Sequence, residues 1–304
     1  MTVFLVPDGL DGERLDTAAA RMTGWSRSQL AAQVEAGRLL VDNVVADKPS
    51  LRVRAGQMLD IPDLEQRRVL LKPRLADGLR IVHLDEAIVV VDKPSGVAAH
   101  PSLGWDGPDV LSHLAAAGVV LATSGPPERQ GVVQRLDVGT SGLMVIARTE
   151  ADYAALKRQF RDHTVQKYYL AVVQGHPDPP AGVIEAPIGR DPGAQWRFAV
   201  RADGRPSVTH YETTELFRGA AMLRVRLETG RTHQIRVHMA ALRHPIVGDP
   251  LYGSDPVMAA RLGLDRQWLH AAELGFVHPS SGEPVEFVSA PPADLQRALD
   301  TLRA

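Results

Sequence analysis

The sequence of 304 residues contains no cysteine. Disulfides, zinc–thiolate sites and every mechanism that needs a thiolate nucleophile are therefore excluded. Long apolar runs are missing too, because the longest ones, such as residues 88–91, fall far short of the roughly 18 residues that a membrane helix needs. The opening segment MTVFLVPDG is too short for a signal peptide and lacks its positive flank. We therefore expect a cytoplasmic protein without a membrane segment.

An excess of positive charge is also missing, since the formal net charge is -2 at pH 7. Binding to a polyanion must then depend on local patches rather than on bulk charge. The sequence contains neither of the glycine-rich motifs that bind nucleoside triphosphates or dinucleotides, so we expect no cofactor. What is present is a hydrophobic fraction of 44%, which is enough for a full core. The length is typical of two domains, at roughly 100–200 residues per domain.

A small N-terminal domain is predicted over residues 13–75. Apolar residues at helical spacing predict a first helix that ends at Gly24, and Ser26 with Gln29 forms a capping box that opens a second helix. The pair Asp42-Asn43 is a hairpin turn signal between short apolar runs, and the segment QMLDIP supplies one more strand. The predicted order is therefore helix, helix, hairpin, strand.

The segments RLD, SR, GRLLVDN, KPS and VRAGQMLDI follow one another in this domain, and together they resemble the S4 RNA-binding domain. The start of the second helix offers backbone N–H groups and the positive end of the helix dipole to a phosphate. The resemblance implies RNA contacts at Arg14, Ser26, Arg27 and Arg38. The alternative is a small helical cap whose arginines are only solvated.

A second domain is predicted over residues 79–304, after a polar linker. A capping box at Thr149 and Asp152 predicts a helix, and AMLRVRLETG alternates like an antiparallel strand with one solvated face. We interpret IVVVDKPSG as a strand that runs into a turn, KYYLAVVQG as another strand, and residues 191–209 as a polar insertion. Strands dominate with helices between them, which predicts an α+β fold.

The segment GVVQRLDVGTSGLMVIA places Arg135 and Asp137 between two apolar runs. A lone base beside a lone acid in such a setting is either a buried structural ion pair or the centre of an active site. Serine hydrolase chemistry is not supported, because Ser141 in this segment lacks the G-x-S-x-G elbow.

Three histidines in ETGRTHQIRVHMAALRHPIVGD raise the question of a metal site. His233 and His238 are five residues apart, which puts them on opposite faces of a strand and about 140° apart on a helix. They cannot share a metal from either element, so we expect none. A helix that begins near residue 232 fits instead, with Arg236 near its start. Its buried face would consist of Ile235, Met239 and Leu242.

Four segments in order resemble the RluA family of RNA pseudouridine synthases: VVVDKPSGVAAHP, QRLDVGTSGLMVIA, KYYLAVVQG and ETGRTHQIRVHMAALRHPIVGDPLYG. With the S4-like front domain, the most similar branch is the RluD type, which acts on large-subunit ribosomal RNA. One departure is Gln134, because the family usually has a histidine before Arg-Leu-Asp. The resemblance implies a mixed, mainly antiparallel sheet with flanking helices. It also implies a monomeric isomerase without a cofactor, whose partner is ribosomal RNA, either naked or in an assembling particle.

The same resemblance implies roles for individual residues. Asp137 would be the catalytic aspartate, paired with Arg236. Arg135 would hold the flipped-out nucleotide, and Tyr169 would pack on the target base. Tyr168 is the alternative to Tyr169, and only one of them can line the pocket, since successive strand residues face opposite sides. The implied substrate-binding residues are Arg135, Tyr169, Ile235 and Arg236.

The chemistry agrees with these residue types. Conversion of uridine to pseudouridine breaks the C1′–N1 bond and joins C1′ to C5, without redox change. An ionised Asp137 could attack C1′, add to C6 of the base or remove the 2′ proton, and the sequence does not choose among the three. All three routes need a deprotonated carboxylate, which a buried site favours only with a positive partner. Arg236 fits that need, because a guanidinium stays charged.

Two alternatives remain at this level. The first is an RNA-binding module with an inactive second domain. The joint presence of Asp137, Tyr169 and Arg236 argues against this alternative. The second is another enzyme that acts on uracil. A methyltransferase that attacks C6 through cysteine is excluded by composition, whereas a glycosylase would release free uracil.

Overall fold

The computed structural model describes residues 2–23, 25, 27–62, 71–102 and 105–304. The chain divides into two compact units, Met1–Arg67 and Arg68–Ala304. Each unit buries a hydrophobic core of its own. Within the described residues, no helix is long and apolar enough to cross a membrane.

The elements of the first unit are two helices and four strands: α1 (Leu15–Thr23), α2 (Arg27–Glu35), β1 (Thr2–Leu5), β2 (Leu40–Val41), β3 (Val44–Val45) and β4 (Met58–Ile61). Strands of the second unit are β5 (Arg80–Leu84), β6 (Ile88–Lys93), β7 (Ser141–Ala147), β8 (Gln166–Gln174), β9 (Ala181–Glu185), β10 (Ile188–Asp191), β11 (Ala194–Val200), β12 (Val208–Phe217), β13 (Ala220–Leu227), β14 (Leu269–Val277) and β15 (Pro284–Val288). Its helices are α3 (Val110–Ala116), α4 (Glu150–Arg161), α5 (Gln234–Ala241), α6 (Pro256–Arg261) and α7 (Ala293–Arg303).

In the first unit, two helices and a sheet in the order β1-β4-β2-β3 enclose the core. The predicted hairpin is confirmed: Asp42 and Asn43 have φ of 49° and 63°, the positive values that a two-residue type I′ turn requires. The strand over residues 2–5 lies ahead of the predicted start at residue 13, and it pairs antiparallel with β4. The predicted capping residue Ser26 lies outside the described residues.

The second unit contains a nine-stranded sheet with the path β5-β6-β7-β14-β8-β13-β12-β9, and β15 pairs with β14 beside it. Among the strand pairs described for this sheet, only β7 with β14 is parallel. The predicted α+β fold with a mixed, mainly antiparallel sheet is therefore confirmed. In β13 the alternation is confirmed as well, because Leu223 and Val225 are buried while Arg224 and Arg226 are partly exposed.

Helix α4 begins where the capping box predicted it. The Thr149 hydroxyl accepts a hydrogen bond from the Asp152 N–H at 3.2 Å. Two other predictions are wrong. The supposed polar insertion over residues 191–209 contains β11, which forms a hairpin with β10. Leu242 is 38% exposed, because α5 ends at residue 241 before a further turn can bury it.

Candidate active site

The loop that carries Asp137 leads directly into β7, and the strand beside β7 fixes its shape. The Thr140 N–H donates to the Asp137 carbonyl at 3.0 Å and closes a turn. From the approach to β14, Arg266 Nη1 donates to the Gly139 carbonyl at 3.1 Å, and Gln267 Nε2 donates to Thr140 Oγ1 at 3.1 Å. The parallel pairing of β7 with β14 therefore positions the aspartate.

Lys93 supports the same loop from the end of β6. Its side chain is fully buried, and Nζ donates to the carbonyls of Val97 at 2.7 Å, Pro94 at 3.0 Å and Val138 at 3.3 Å. Burial lowers the pKa of Lys93 to about 7, although the charge of Asp137 opposes this shift. From the sequence, this segment is predicted only as a strand and a turn. The signal in the sequence is a lysine that ends a strand whose first four residues are all apolar.

Arg236 lies in the first turn of α5 and binds two carboxylates. Its Nη1 donates to Asp137 Oδ2 at 3.2 Å, while Nε and Nη2 donate to Asp249 at 2.7 and 2.9 Å. The side chain of Asp249 is wholly buried and that of Arg236 is 4% exposed. Burial disfavours the charged guanidinium, but the two carboxylates outweigh it and raise the pKa of Arg236. Asp137 thus faces a permanent positive charge.

Arg135 and Asp137, which are two positions apart in the sequence, do not form the ion pair of the site. Arg135 is exposed, and its Nη2 donates to Thr232 Oγ1 at 3.2 Å. Asp137 binds Arg236 instead, a residue 99 positions away. Arg135 therefore lies at the mouth of the site, where it lines both the cleft and the recess, and partial burial lowers the pKa of its guanidinium.

Of the two adjacent tyrosines in β8, only Tyr169 lies on the side of Asp137. Its ring is buried, and burial, together with the nearby charge of Asp137, raises the pKa of its hydroxyl. Tyr168 faces the other side of the sheet, where the Arg224 guanidinium lies 3.7 Å from its ring centre.

Two adjoining cavities meet at Asp137. The larger is a cleft of about 740 Å³, whose wall includes the basic side chains of Arg129, Lys157 and Arg231. The smaller is a recess of about 60 Å³. The wall of the recess contains all five residues predicted for the catalytic site: Arg135, Asp137, Tyr169, Ile235 and Arg236. A basic cleft that leads to a carboxylate beside an aromatic ring suits a nucleotide within a polyanion.

Comparison with known proteins agrees with this geometry. The family model described as RNA pseudouridylate synthase matches residues 87–241, and the S4 domain model matches residues 13–59. This chain belongs to the RNA pseudouridylate synthase family. The RluA-type relationship and the isomerase activity expected from the sequence are thereby confirmed, and the protein is an RNA pseudouridine synthase with an N-terminal S4 RNA-binding domain.

Relatives of the synthase are similar over nearly the whole chain. An uncharacterized RNA pseudouridine synthase of Mycobacterium bovis is 56% identical, over 98% of this chain and 97% of that protein. The ribosomal large subunit pseudouridine synthase D of Xanthomonas campestris is 40% identical, over 98% of this chain and 92% of that protein. Among solved structures, human RNA pseudouridylate synthase domain containing 4 matches with a TM-score of 0.58 and 26% identity, over 73% of this chain and 92% of that chain.

Two further side chains line the synthase's cleft, and neither was given a role in the site from the sequence. His233 precedes α5, with Nε2 3.9 Å from Asp137 Oδ1, and its Nδ1 lies 2.8 Å from the Tyr252 hydroxyl. Gln134 also lines the cleft. Its Nε2 is buried and has no hydrogen-bond partner among the described residues.

Within the described part of the synthase, one group of side chains has the spacing of metal ligands, namely His83, Asp85 and His278. It does not line the cleft, and the excluded pair His233 and His238 does not belong to it. The Ser281 N–H donates to His278 Nδ1 at 3.1 Å, so the proton of a neutral ring is on Nε2, which donates to Asp85 at 3.0 Å. The group is therefore a hydrogen-bonded network.

In the S4 unit, Arg14 and Arg27 converge on the carboxylate of Asp16. Arg14 donates to it at 2.9 and 3.0 Å, and Arg27 donates at 3.0 Å. These contacts hold the pKa of Asp16 well below its usual range, and the hydrogen bond from Arg14 has the largest effect. The side chains of Arg14 and Arg27 are about half exposed, and Arg38 is exposed. The unit thus presents arginines that solvent can reach.

Proposed function

We propose that this synthase isomerises uridines in large-subunit ribosomal RNA and that Asp137 is its catalytic residue. The RNA target is supported by the ribosomal large subunit pseudouridine synthase D proteins, which are 37–40% identical to it. The observation that carries the assignment of Asp137 is its ion pair with Arg236, 3.2 Å long, in a recess shared with Tyr169. Such a target agrees with the cytoplasmic location expected from the sequence.

The contacts of Asp137 suit each of the three routes to pseudouridine. Arg236 compensates the carboxylate charge at Oδ2, and the Asp137 side chain is still 22% exposed and lines the cleft. The uridine must leave the RNA stack to reach it, at a cost of a few kcal/mol. Stacking of the uracil base on an aromatic ring offsets about 1–3 kcal/mol of this cost. Tyr169 provides the ring, and Arg135 at the mouth contacts the flipped nucleotide.

The S4 unit positions the substrate in this proposal. Phosphate contacts fix register and orientation, whereas the pocket performs the chemistry. Arg14, Arg27 and Arg38 are the phosphate contacts that we assign to it, and the functional limits of the two domains are those predicted from the sequence, residues 13–75 and 79–304. The enzyme acts as a monomer.

Substitution of Asp137 by Asn tests the catalytic assignment. Asn keeps the shape of the side chain but acts neither as nucleophile nor as base, so pseudouridine formation is expected to stop. RNA affinity should stay within a few fold, because the amide removes no phosphate contact. Pseudouridine and free uracil are measured together on a ribosomal RNA fragment, with Asp300→Asn on α7 as the matched control. Substantial turnover by Asp137→Asn would refute the assignment, and free uracil would identify a glycosylase.

The RNA target needs a separate measurement. Pseudouridines are mapped in ribosomal RNA from cells with and without this protein. Loss of one or a few sites in the large-subunit RNA is the expected result. An unchanged map would place the substrate elsewhere.

A further inference from the structure

His233 occupies a special position at the edge of the catalytic recess. It is the N-cap residue of α5 with φ of 58°, a left-handed conformation, yet its side chain makes no capping hydrogen bond. Instead the ring lines both the cleft and the recess, with 16% of the side chain exposed. Uncommon backbone conformations of this kind concentrate at functional sites. The conformation thus serves to aim the imidazole at the site rather than to start the helix.

The hydroxyl of Tyr252 decides which ring nitrogen carries the proton. Its oxygen accepts the Phe198 N–H at 3.1 Å and lies 2.8 Å from His233 Nδ1. A phenol has one proton, and donation to Nδ1 satisfies both groups. The opposite tautomer would leave the phenol proton without this acceptor and would turn the Nε2 lone pair towards the Asp137 carboxylate. The geometry therefore favours a neutral ring with its proton on Nε2.

Burial keeps the His233 ring neutral near pH 7. Burial lowers the pKa of His233, and the nearby guanidiniums of Arg236 and Arg135 act in the same direction. The carboxylates of Asp137 and Asp249 oppose them without reversing the shift. Nε2 thus keeps its proton near pH 7, and Nδ1 does not readily take up a second one.

The Nε2–H group is left for a ligand. Asp137 Oδ1 is 3.9 Å away, beyond hydrogen-bond distance, and Oδ2 is bound to Arg236. Within the described residues, His233 Nε2 has no other acceptor at hydrogen-bond distance. A donor beside the catalytic carboxylate, open to the cleft, therefore lacks a partner until substrate enters.

We propose that His233 is a further catalytic residue, which donates its Nε2–H to a carbonyl oxygen of the target uracil, and that Tyr252 is the positioning residue that fixes this tautomer. The inference rests on the proposed role of Asp137. It does not depend on the route, because cleavage of C1′–N1 leaves negative charge on the uracil oxygens, and addition to C6 forms an enolate. A fixed donor stabilises that charge more than the neutral base. No proton is transferred.

Single-turnover rates on a ribosomal RNA fragment test the role of the donor. His233→Phe keeps a ring but removes the N–H, and the rate of the chemical step should fall by about 10²-fold, with RNA affinity changed less than threefold. His233→Gln offers an amide N–H and should restore part of the rate. His176→Gln, outside the cleft, is the matched control and should behave like the parent. A parent-like rate for His233→Phe would overturn the inference, whereas a parent enzyme without pseudouridine formation would overturn the proposed function instead.

The tautomer is tested without any turnover. Imidazole ¹⁵N chemical shifts of the full-length protein, with His233 assigned by its loss in His233→Gln, should show a neutral ring protonated at Nε2. Tyr252→Phe should yield a mixture of tautomers and a smaller loss of rate than His233→Phe. Tyr211→Phe is the control, because it removes another buried hydroxyl, bonded to the Pro179 carbonyl at 3.1 Å. A parent ring protonated at Nδ1, or one unaffected by Tyr252→Phe, would contradict the role of Tyr252.

Discussion

Arg236 binds one carboxylate that faces the cleft and another that does not. Asp249 has a wholly buried side chain, and two guanidinium nitrogens of Arg236 contact it. A buried carboxylate that loses its only guanidinium partner is more costly than a lost surface ion pair. A change of Arg236 therefore alters the fold as well as the charge beside Asp137.

We expect Arg236→Ala to lower the free energy of unfolding by about 3–5 kcal/mol, since it leaves Asp249 buried with an unpaired charge. Arg236→Lys should lose less stability, because it keeps the charge, and also less activity, although it lacks the paired donors. Urea unfolding and single-turnover rates measure the two effects.

Arg303→Ala is the control for that comparison. Arg303 binds Glu215 with the same two-pronged geometry, at 2.7 and 2.9 Å, but at the surface. Exposed ion pairs contribute little to stability. If Arg236→Ala unfolds at the same urea concentration as Arg303→Ala, the Arg236–Asp249 pair does not support the fold.

At the scale of elements, two strands and one loop determine where Asp137 lies. Gly142 in β7 has φ of 117°, and a Cβ there would overlap the backbone of Ala271 in β14. The missing side chain permits this close approach, and the approach brings Arg266 and Gln267 to the loop before β7. Lys93 at the end of β6 supports the same loop through the Val138 carbonyl. The aspartate is thus positioned from two neighbouring strands of the sheet.

The buried Lys93 predicts a pH dependence of stability. Its pKa in the folded protein is about 7, against an ordinary value of 10.5. Between these pH values the unfolded chain holds a proton that the folded chain has released. The free energy of unfolding should therefore rise with pH across this window, by up to about 1.4 kcal/mol per pH unit, and gain nothing below it.

Lys93→Met provides the reference for that measurement, because it fills a similar volume without an ionisable group. Urea unfolding of both proteins between pH 6 and 10 isolates the contribution of Lys93. The parent should gain stability relative to Lys93→Met as the pH rises. Parallel profiles would mean that Lys93 has the same protonation state folded and unfolded.

At the scale of the whole molecule, the two units have separate cores. In our proposal the first unit binds RNA and the second performs the chemistry. Deletion of residues 1–67 should leave a folded synthase, since the core of the second unit uses none of them. RNA binding should weaken and depend less on salt, because each phosphate contact contributes roughly 0.7–0.9 to the slope of log K against log salt. A salt titration with and without the deletion measures the difference, and equal slopes would contradict the role of the S4 unit.

In the full-length protein, Arg38→Gln should lower the slope of log K against log salt by about one, since it removes one phosphate contact.

The sequence determined the features that depend on neighbouring residues. The turn at Asp42-Asn43, the cap at Thr149 and the alternation in β13 each involve hydrogen bonds or side-chain periods within a few positions. The order of the segments also determined the family, and the family implied the five residues that the structure brings together in one recess. The sequence alone therefore indicated these five residues of the candidate site.

The family resemblance implied the pair of Asp137 and Arg236, but only the tertiary structure decided the other partners within that site. Arg236 and Asp137 are 99 positions apart, and Gln267 and Thr140 are 127 apart. No local pattern records such contacts, because they arise when the sheet places β7 beside β14. The same reason explains why the contact of Lys93 with the Val138 carbonyl and the bond between His233 and Tyr252 were missed. It does not apply to β11, which was missed although its hairpin with β10 is local. Local hydrogen bonds specify elements, whereas the packing of elements distant in sequence specifies which charges and donors meet.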